Sequence, residues 1–243
     1  SSDVCSSDLE RVDLGVRVEM EGNELSLILK DSFETKIKYK SSEFEAVTYC
    51  MNPKGKVIKK YQEGLVMADG QNYIETHKPS LNINFSVFIP KYFDCYNEAK
   101  KYARDIVESI NKGKGRIVVQ RYEDLLQGRE TTEQNLKKNT IKPSLQGEVG
   151  NLYNEIPRIY IDGLLKMFES IEKIIGNEIS SDTLLYGIDA KFYEPEISTD
   201  EYFETKQKGL YVIGDCSGIT YSLSQAAASG VYLGRYLFGI YDK

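Results

Sequence analysis

Gly209-Leu-Tyr-Val-Ile-Gly-Asp-Cys-Ser-Gly-Ile219, running directly into Thr220-Tyr-Ser-Leu-Ser-Gln-Ala-Ala-Ala-Ser-Gly230, decides how the chain is read. Leu210 to Ile213 is apolar at successive positions and bounded by glycines, the pattern of a buried parallel strand. Gly214 ends it, Asp215 stands at its tip, a glycine turn follows, and a helix rich in small residues begins. Open α/β sheets hold ligands at the carboxyl ends of their strands, so this order of residues predicts a cofactor site. Gly214 lets a ligand approach the backbone, Gly218 takes a φ that other residues resist, and Asp215 is an acceptor-only group suited to hydroxyls. The first free N–H groups of a helix starting near Ile219 or Thr220 would add a partly positive cradle. Ala226, Gly230 and Gly234 recur every four residues and leave one helix face nearly bare, while Leu223, Ala227, Val231 and Leu237 predict a stripe buried against a sheet.

A strand ending Gly-Asp, a glycine turn and an Ala/Gly-rich helix resemble the second FAD-binding motif of two-dinucleotide flavoproteins. The resemblance implies that Asp215 contacts a ribityl hydroxyl and that Gly218 and Ile219 face the flavin edge. Asp13-Leu-Gly-Val-Arg-Val-Glu19, Tyr49-Cys-Met-Asn-Pro-Lys-Gly-Lys-Val57, Asn82-Ile-Asn-Phe85, Val119-Gln-Arg121 and Tyr186-Gly-Ile-Asp-Ala-Lys-Phe192 carry it further. In that order they are similar to the C-terminal part of uncharacterised FAD-dependent dehydrogenases of the NAD(P)/FAD-utilising type. This implies FAD as cofactor, with NAD(P) a second dinucleotide whose preference no motif marks, and a small-molecule substrate. Such proteins open on a strand, G-x-G-x-x-G and a helix. Here the one G-x-G, Gly113-Lys-Gly115, follows a helical pattern and precedes a strand, so it reads as a helix stop.

Ser1-Ser-Asp-Val-Cys-Ser-Ser-Asp-Leu9 repeats Ser-Ser-Asp, lacks an apolar period and resembles a translated sequencing adaptor, against the alternative of a polar native tail. The expected organisation is therefore a non-native tail over 1–9, a β-rich substrate domain over 10–205, and over 206–243 the last strand and helix of a Rossmann-like FAD-binding domain. The missing N-terminal half of the same protein is the expected partner. A lone parallel strand and helix cannot bury both faces unaided, so apolar surface should be left exposed.

With 41% hydrophobic and 28% charged residues the composition is that of an ordinary globular protein, the resemblance and the strand–helix order implying α/β, and a net charge of -6 argues against nucleic-acid or anionic-membrane partners. No run of apolar residues is long enough to span a bilayer. Cys50, Cys95 and Cys216 are scattered, without C-x-x-C or zinc spacing, which points to a reduced, cytoplasmic setting. Short strands are expected at Val12–Met20, Lys36–Lys40, Ala46–Met51, Lys56–Lys60, Leu65–Ala68, Asn82–Ile89, Arg116–Gln120 and Thr183–Tyr193, with turns at Asn52–Gly55 and Asp69-Gly70. Tyr96 to Asn111 has helical spacing, Pro157 opens a second helix, and polar Thr131 to Gly150 is expected to be a mobile loop.

Other chemistries have little support. Ser217 lacks the flanking glycines of G-x-S-x-G, and the lone histidine, His77, reads as an exposed loop residue rather than a catalytic base. No His-based metal cluster can form. Cys216 is either a redox thiol beside the flavin or a small packing residue. Lys191, with Asp189 on one strand face, is either a cation for an acidic substrate or the flavin N5 region, or part of a solvated face. Asn84, beside Asn82, and Gln120, beside Arg121, suit substrate hydrogen bonds and equally suit strand ends. The expected function is hydride or electron-pair transfer between a substrate and FAD. The alternative is a non-catalytic binding or interaction module, which would show a covered edge beside Leu210 to Ile213.

Overall fold

The computed structural model of the chain describes residues 10–32, 35–220 and 222–239; the expected 1–9 tail lies outside them. The strands are β1 (Glu10–Glu21), β2 (Lys38–Lys40), β3 (Glu45–Pro53), β4 (Lys56–Gln62), β5 (Leu65–Gln71), β6 (Asn82–Phe93), β7 (Val118–Arg121), β8 (Glu148–Val149) and β9 (Leu184–Phe192). The helices are α1 (Ser26–Leu29), α2 (Tyr73–Thr76), α3 (Tyr96–Asn111), α4 (Tyr122–Leu126), α5 (Glu133–Lys138), α6 (Arg158–Ile175) and α7 (Leu223–Leu237). Val12–Tyr92 and Ala99–Lys191 form one compact unit; residues 10–11, Phe93–Glu98 and the chain from Phe192 onward form another.

The larger unit is mixed α/β. Seven strands make one sheet in the order β2-β3-β6-β1-β9-β7-β8, while β4 and β5 form a separate hairpin. The pairs β2–β3, β3–β6 and β7–β9 are antiparallel, and β7–β8 is parallel. Val12, Leu14, Val16, Val18 and Met20 alternate along β1 and are all buried, as are Ile83, Phe85, Val87 and Ile89 along β6. Period-two spacing puts each set on one face. That face takes α6, whose Pro157 presets the first turn and whose Ile161, Leu164, Phe168 and Ile171 are buried as the helical spacing predicts. Gly163 of α6 sits against Ile89, where a Cβ would collide with the isoleucine side chain. Each fully buried aliphatic side chain of this layer contributes about 1.5–3 kcal/mol by leaving water.

The opposite face is polar and equally buried. Asp13, Arg17 and Glu19 of β1 and Asn84 and Ser86 of β6 have no measurable exposure. The β4–β5 hairpin covers part of it, and it corrects the expected turn at Asp69-Gly70. Both residues continue β5, and Gly70 is glycine because a Cβ there would collide with the Arg17 guanidinium and the Asn84 and Asn52 amides. Asn111, the last residue of α3, holds the hairpin by accepting from Val66 N–H (2.9 Å) and donating to Val66 C=O (2.7 Å). Its side-chain amide thus stands in for a neighbouring strand.

The segment Thr131 to Gly150 is not irregular throughout. It contains α5 and β8, and several of its polar groups bond to neighbouring chain. Arg121 Nε donates to Asn139 Oδ1 (2.7 Å), Thr131 Oγ1 donates to Asp124 Oδ2 (2.8 Å), and Thr140 N–H donates to Asp182 Oδ2 (3.0 Å). Among the described residues no helix is long and apolar enough to cross a membrane.

Candidate functional site

The C-terminal unit contains the Gly-Asp turn. Val212 N–H donates to Phe203 C=O (3.0 Å) and Thr205 N–H to Leu210 C=O (2.8 Å), around a single antiparallel bridge between Glu204 and Tyr211. Leu210 to Ile213 is therefore extended chain with one short antiparallel partner, not the buried parallel strand expected, and Leu210 is 51% exposed. An antiparallel bridge flanked in this way turns the N–H and C=O of its central residue to the other edge. That edge, at Tyr211, has no backbone partner among the described residues.

At the tip, Gly214 adopts φ 74°, ψ -164°, a conformation essentially confined to glycine. Asp215, Cys216 and Ser217 then make one 3-10 turn, closed by Gly218 at φ 72°. The Asp215 carboxylate is exposed and accepts a bond from Thr220 Oγ1 (3.3 Å). Ser217 is buried; its hydroxyl donates to Gly214 C=O (2.6 Å) and accepts from Ile219 N–H (3.2 Å). Cys216 is exposed with its thiol donating to Ile213 C=O (3.1 Å).

The helix behind the turn begins later than expected. α7 starts at Leu223 because Ser222 caps it, its hydroxyl accepting from Gln225 N–H (3.2 Å). The small-residue face does lie on the extended segment. A Cβ on Gly214 would reach ordinary contact with Ala226 at 3.9 Å, one on Gly230 would meet Ile213 at 3.8 Å, and Gly214 N–H donates to Ser229 Oγ (3.2 Å). On its flank, Tyr202 stacks on Tyr236 with ring centroids 3.8 Å apart. The expected buried stripe is corrected: Leu223 is 92% exposed, Val231 55% and Leu237 57%, because no sheet lies over them among the described residues.

Of the residues expected to hold FAD, Asp215 and Ile219 are exposed, and Gly214 has the backbone that only glycine takes readily. The exposed Asp215 carboxylate can accept further hydrogen bonds from hydroxyls. Gly218 and Ala226 are turned to the chain itself. A Cβ on Gly218 would strike Pro195 C=O and the Glu196 backbone, so packing alone accounts for that glycine.

In the larger unit, the polar sheet face gathers a cluster that motif spacing did not single out. Arg17 is fully buried and donates to Asn84 Oδ1, to Ser86 Oγ (3.1 Å) and to Cys50 C=O (2.9 Å). Ser86 Oγ donates to Asp189, which also accepts from Lys60 Nζ (2.9 Å). Asp69 lies 3.9 Å from Arg17 and 3.7 Å from Lys60. Two cations thus face two carboxylates. Burial pulls the Arg17 guanidinium below its ordinary value, while Asp189 and Asp69 oppose the pull. Burial likewise opposes the charge on Lys60, yet Asp189 and Asp69 hold its ammonium above the ordinary value. Cys50 sits at the edge of this cluster, exposed, with φ 48° where the β3–β6 register shifts.

The structure brings Asn84 into this cluster. Lys191, on the same strand as Asp189, points its ammonium at the Tyr49 ring, 5.2 Å from the centroid. Gln120 lies elsewhere, fully buried, donating to Arg129 C=O (2.7 Å) and accepting from Leu152 N–H (2.8 Å), so both ends of its amide hold backbone. His77 is an exposed left-handed residue at the end of α2. The signal for Arg17 was present in the sequence: a cation inside a strand whose alternate positions are all aliphatic must either face solvent or be paired. No family model and no curated protein matches this chain.

Proposed function

We propose that the chain is the substrate domain and C-terminal cofactor edge of an FAD-dependent oxidoreductase, in which the Gly214-Asp215 turn holds the flavin and the flavin exchanges a hydride or electron pair with a small-molecule substrate. One observation carries the reading: an exposed carboxylate follows a glycine-only turn, backed by the bare face of α7 and flanked by an unpartnered edge at Tyr211. That combination leaves an acceptor for ribityl hydroxyls and room for further strands that would complete a dinucleotide-binding sheet. When bound, FAD supplies the redox chemistry. The chain's own part is to orient it through Asp215 and Ile219.

A second reading, an interaction module without flavin, draws on the packing of Gly218 against Pro195 and Glu196, which needs no ligand. The test is visible absorption of purified protein expressed with the coding sequence upstream of Glu10, compared with its Asp215→Ala variant. A yellow parent and a weakly loaded variant support the flavoprotein reading. A folded parent that stays colourless and takes up no added FAD overturns it in favour of the interaction module.

A further inference from the structure

Asn84 is fully buried on the polar face, and its Nδ2 has no hydrogen-bond partner among the described residues. Its Oδ1 accepts from Arg17 Nε (3.2 Å) and from Arg17 Nη2. Arginine offers donors only, so turning the amide round would set donor against donor, and Nδ2 must face away from Arg17. A buried amide donor in that position calls for an acceptor atom.

Two further groups of the cluster have bonding capacity to spare, and both reach solvent. Lys60 Nζ donates to Asp189 Oδ1 (2.9 Å) and to Ala190 C=O (3.1 Å), which leaves it a third N–H, and its side chain is 26% exposed. Asp69 Oδ1 accepts from Gly70 N–H (2.7 Å), whereas Oδ2 stands 3.7 Å from Lys60 Nζ, beyond hydrogen-bond length, on a side chain 27% exposed. Arg17, Ser86 and Asp189 bond to one another and make the buried floor. The open valences are therefore donors on Asn84 and Lys60 and an acceptor on Asp69.

With Arg17 and Lys60 set against Asp69 and Asp189 the cluster is already neutral, so a ligand of net charge would leave an unpaired charge in a largely buried place. We infer that this face binds a small zwitterionic α-amino acid, its carboxylate accepting from Asn84 Nδ2 and Lys60 and its ammonium donating to Asp69. Nδ2 is shut off from solvent, so the ligand enters by parting the Lys60 and Asp69 side chains at the exposed side. Gly70 lies against the Asn84 amide and adds no side chain of its own there.

The site stands wholly within the larger unit. It is tested without flavin, so its failure and that of the flavoprotein reading are separate results. The probe is L-alanine added to the isotope-labelled chain, and the readout is the Asn84 side-chain amide resonance, identified by its loss in Asn84→Asp. A saturable shift is expected, with lactate, which lacks the ammonium, and ethylamine, which lacks the carboxylate, each binding at least about tenfold more weakly because a charge-assisted bond is lost. Asn84→Asp still accepts from Arg17 but no longer donates, and Asp69→Asn removes the ammonium's partner; each should weaken L-alanine by a similar factor, as followed on the backbone amides of β5. If Asn84→Asp does not fold, the partly exposed Asp69→Asn decides. No saturable shift at any concentration of L-alanine overturns the proposal and leaves Nδ2 to a buried water. Lactate binding as tightly as L-alanine, or variants binding like the parent, overturns it equally.

Discussion

Three glycines of the C-terminal unit look alike in sequence and differ in what they do. Gly214 and Gly218 both have positive φ, and Gly218 also lies against the Pro195–Glu196 backbone, whereas Gly230 is ordinary helix with its nearest neighbour at 3.8 Å. Gly214→Ala and Gly218→Ala should each cost about 1–3 kcal/mol of local stability. Gly230→Ala should gain about 0.5–1 kcal/mol, because alanine loses less freedom on entering a helix. Hydrogen exchange of the α7 amides reads all three, and a stabilising Gly214→Ala would show that the turn is not strained. A second residue-scale expectation concerns pH. Arg116 grips Glu155 with two bonds, Nη1 to Oε2 at 2.9 Å and Nη2 to Oε1 at 2.8 Å, and this bonding, against a smaller opposing effect of burial, holds the Glu155 carboxyl below its ordinary 4.5. A carboxyl depressed on folding contributes stability that is present above 4.5 and lost as pH falls through its folded value. Glu155→Gln should therefore lower stability near neutrality and flatten the acid limb of the stability profile below 4.5, as read by urea unfolding at a series of pH values. An acid limb as steep as the parent's would remove Glu155 from the account.

Among the elements, α3 shows how far local pattern reaches: its span, Tyr96–Asn111, follows from apolar spacing alone. The strands of the larger unit were legible for the same reason, since alternation along β1 and β6 needs only a buried face. What alternation could not show is that the other face is buried too. Asn84 read as a substrate or strand-end hydrogen-bonder, and its burial follows only once the β4–β5 hairpin is placed over that face, since pairing a hairpin with a distant sheet leaves no local trace. The misreading of Asp69-Gly70 as a turn shares that cause, as does the failure to see α5 and β8 within Thr131 to Gly150. In both, glycine or polar composition serves a tertiary contact. Leu210 to Ile213 failed differently, for its apolar run is real but among the described residues it pairs only through one antiparallel bridge. The hairpin's attachment is testable through Asn111, which also donates to Arg116 C=O (3.0 Å). Asn111→Ala removes three hydrogen bonds at a site only 6% exposed and should cost about 2–4 kcal/mol, since each bond contributes about 0.5–1.5 kcal/mol and orphaned backbone groups add to the loss. Amides of β4 and β5 should exchange faster while those of β6 keep their protection. Uniform loss across both would mean that hairpin and sheet unfold as one.

For the whole molecule, the consequential fact is an apolar surface that none of the described residues covers. Leu223, Val231, Leu237 and Phe238 of α7 and its C-cap are 92%, 55%, 57% and 85% exposed, and Leu210 and Ile219 add 51% and 44%. Isolated exposed leucines need no explanation, but several along one helix beside an unpartnered chain edge mark a surface built to be covered. The chain as described should therefore self-associate, and Leu223→Glu with Val231→Glu should abolish the concentration dependence of its sedimentation without lowering its melting temperature, because neither side chain is buried in the chain alone. The same pair separates the two functional readings. If residues upstream of Glu10 supply the rest of a dinucleotide-binding sheet, the two positions become buried in the longer protein. Two glutamates there should then cost several kcal/mol, as unpaired buried charges do, and flavin content should fall with stability. If the surface instead docks a separate partner, the longer protein should tolerate both substitutions as well as this chain does. A monomeric parent at every concentration tested would overturn the premise that the α7 face is sticky, and with it the support it lends to a covering sheet.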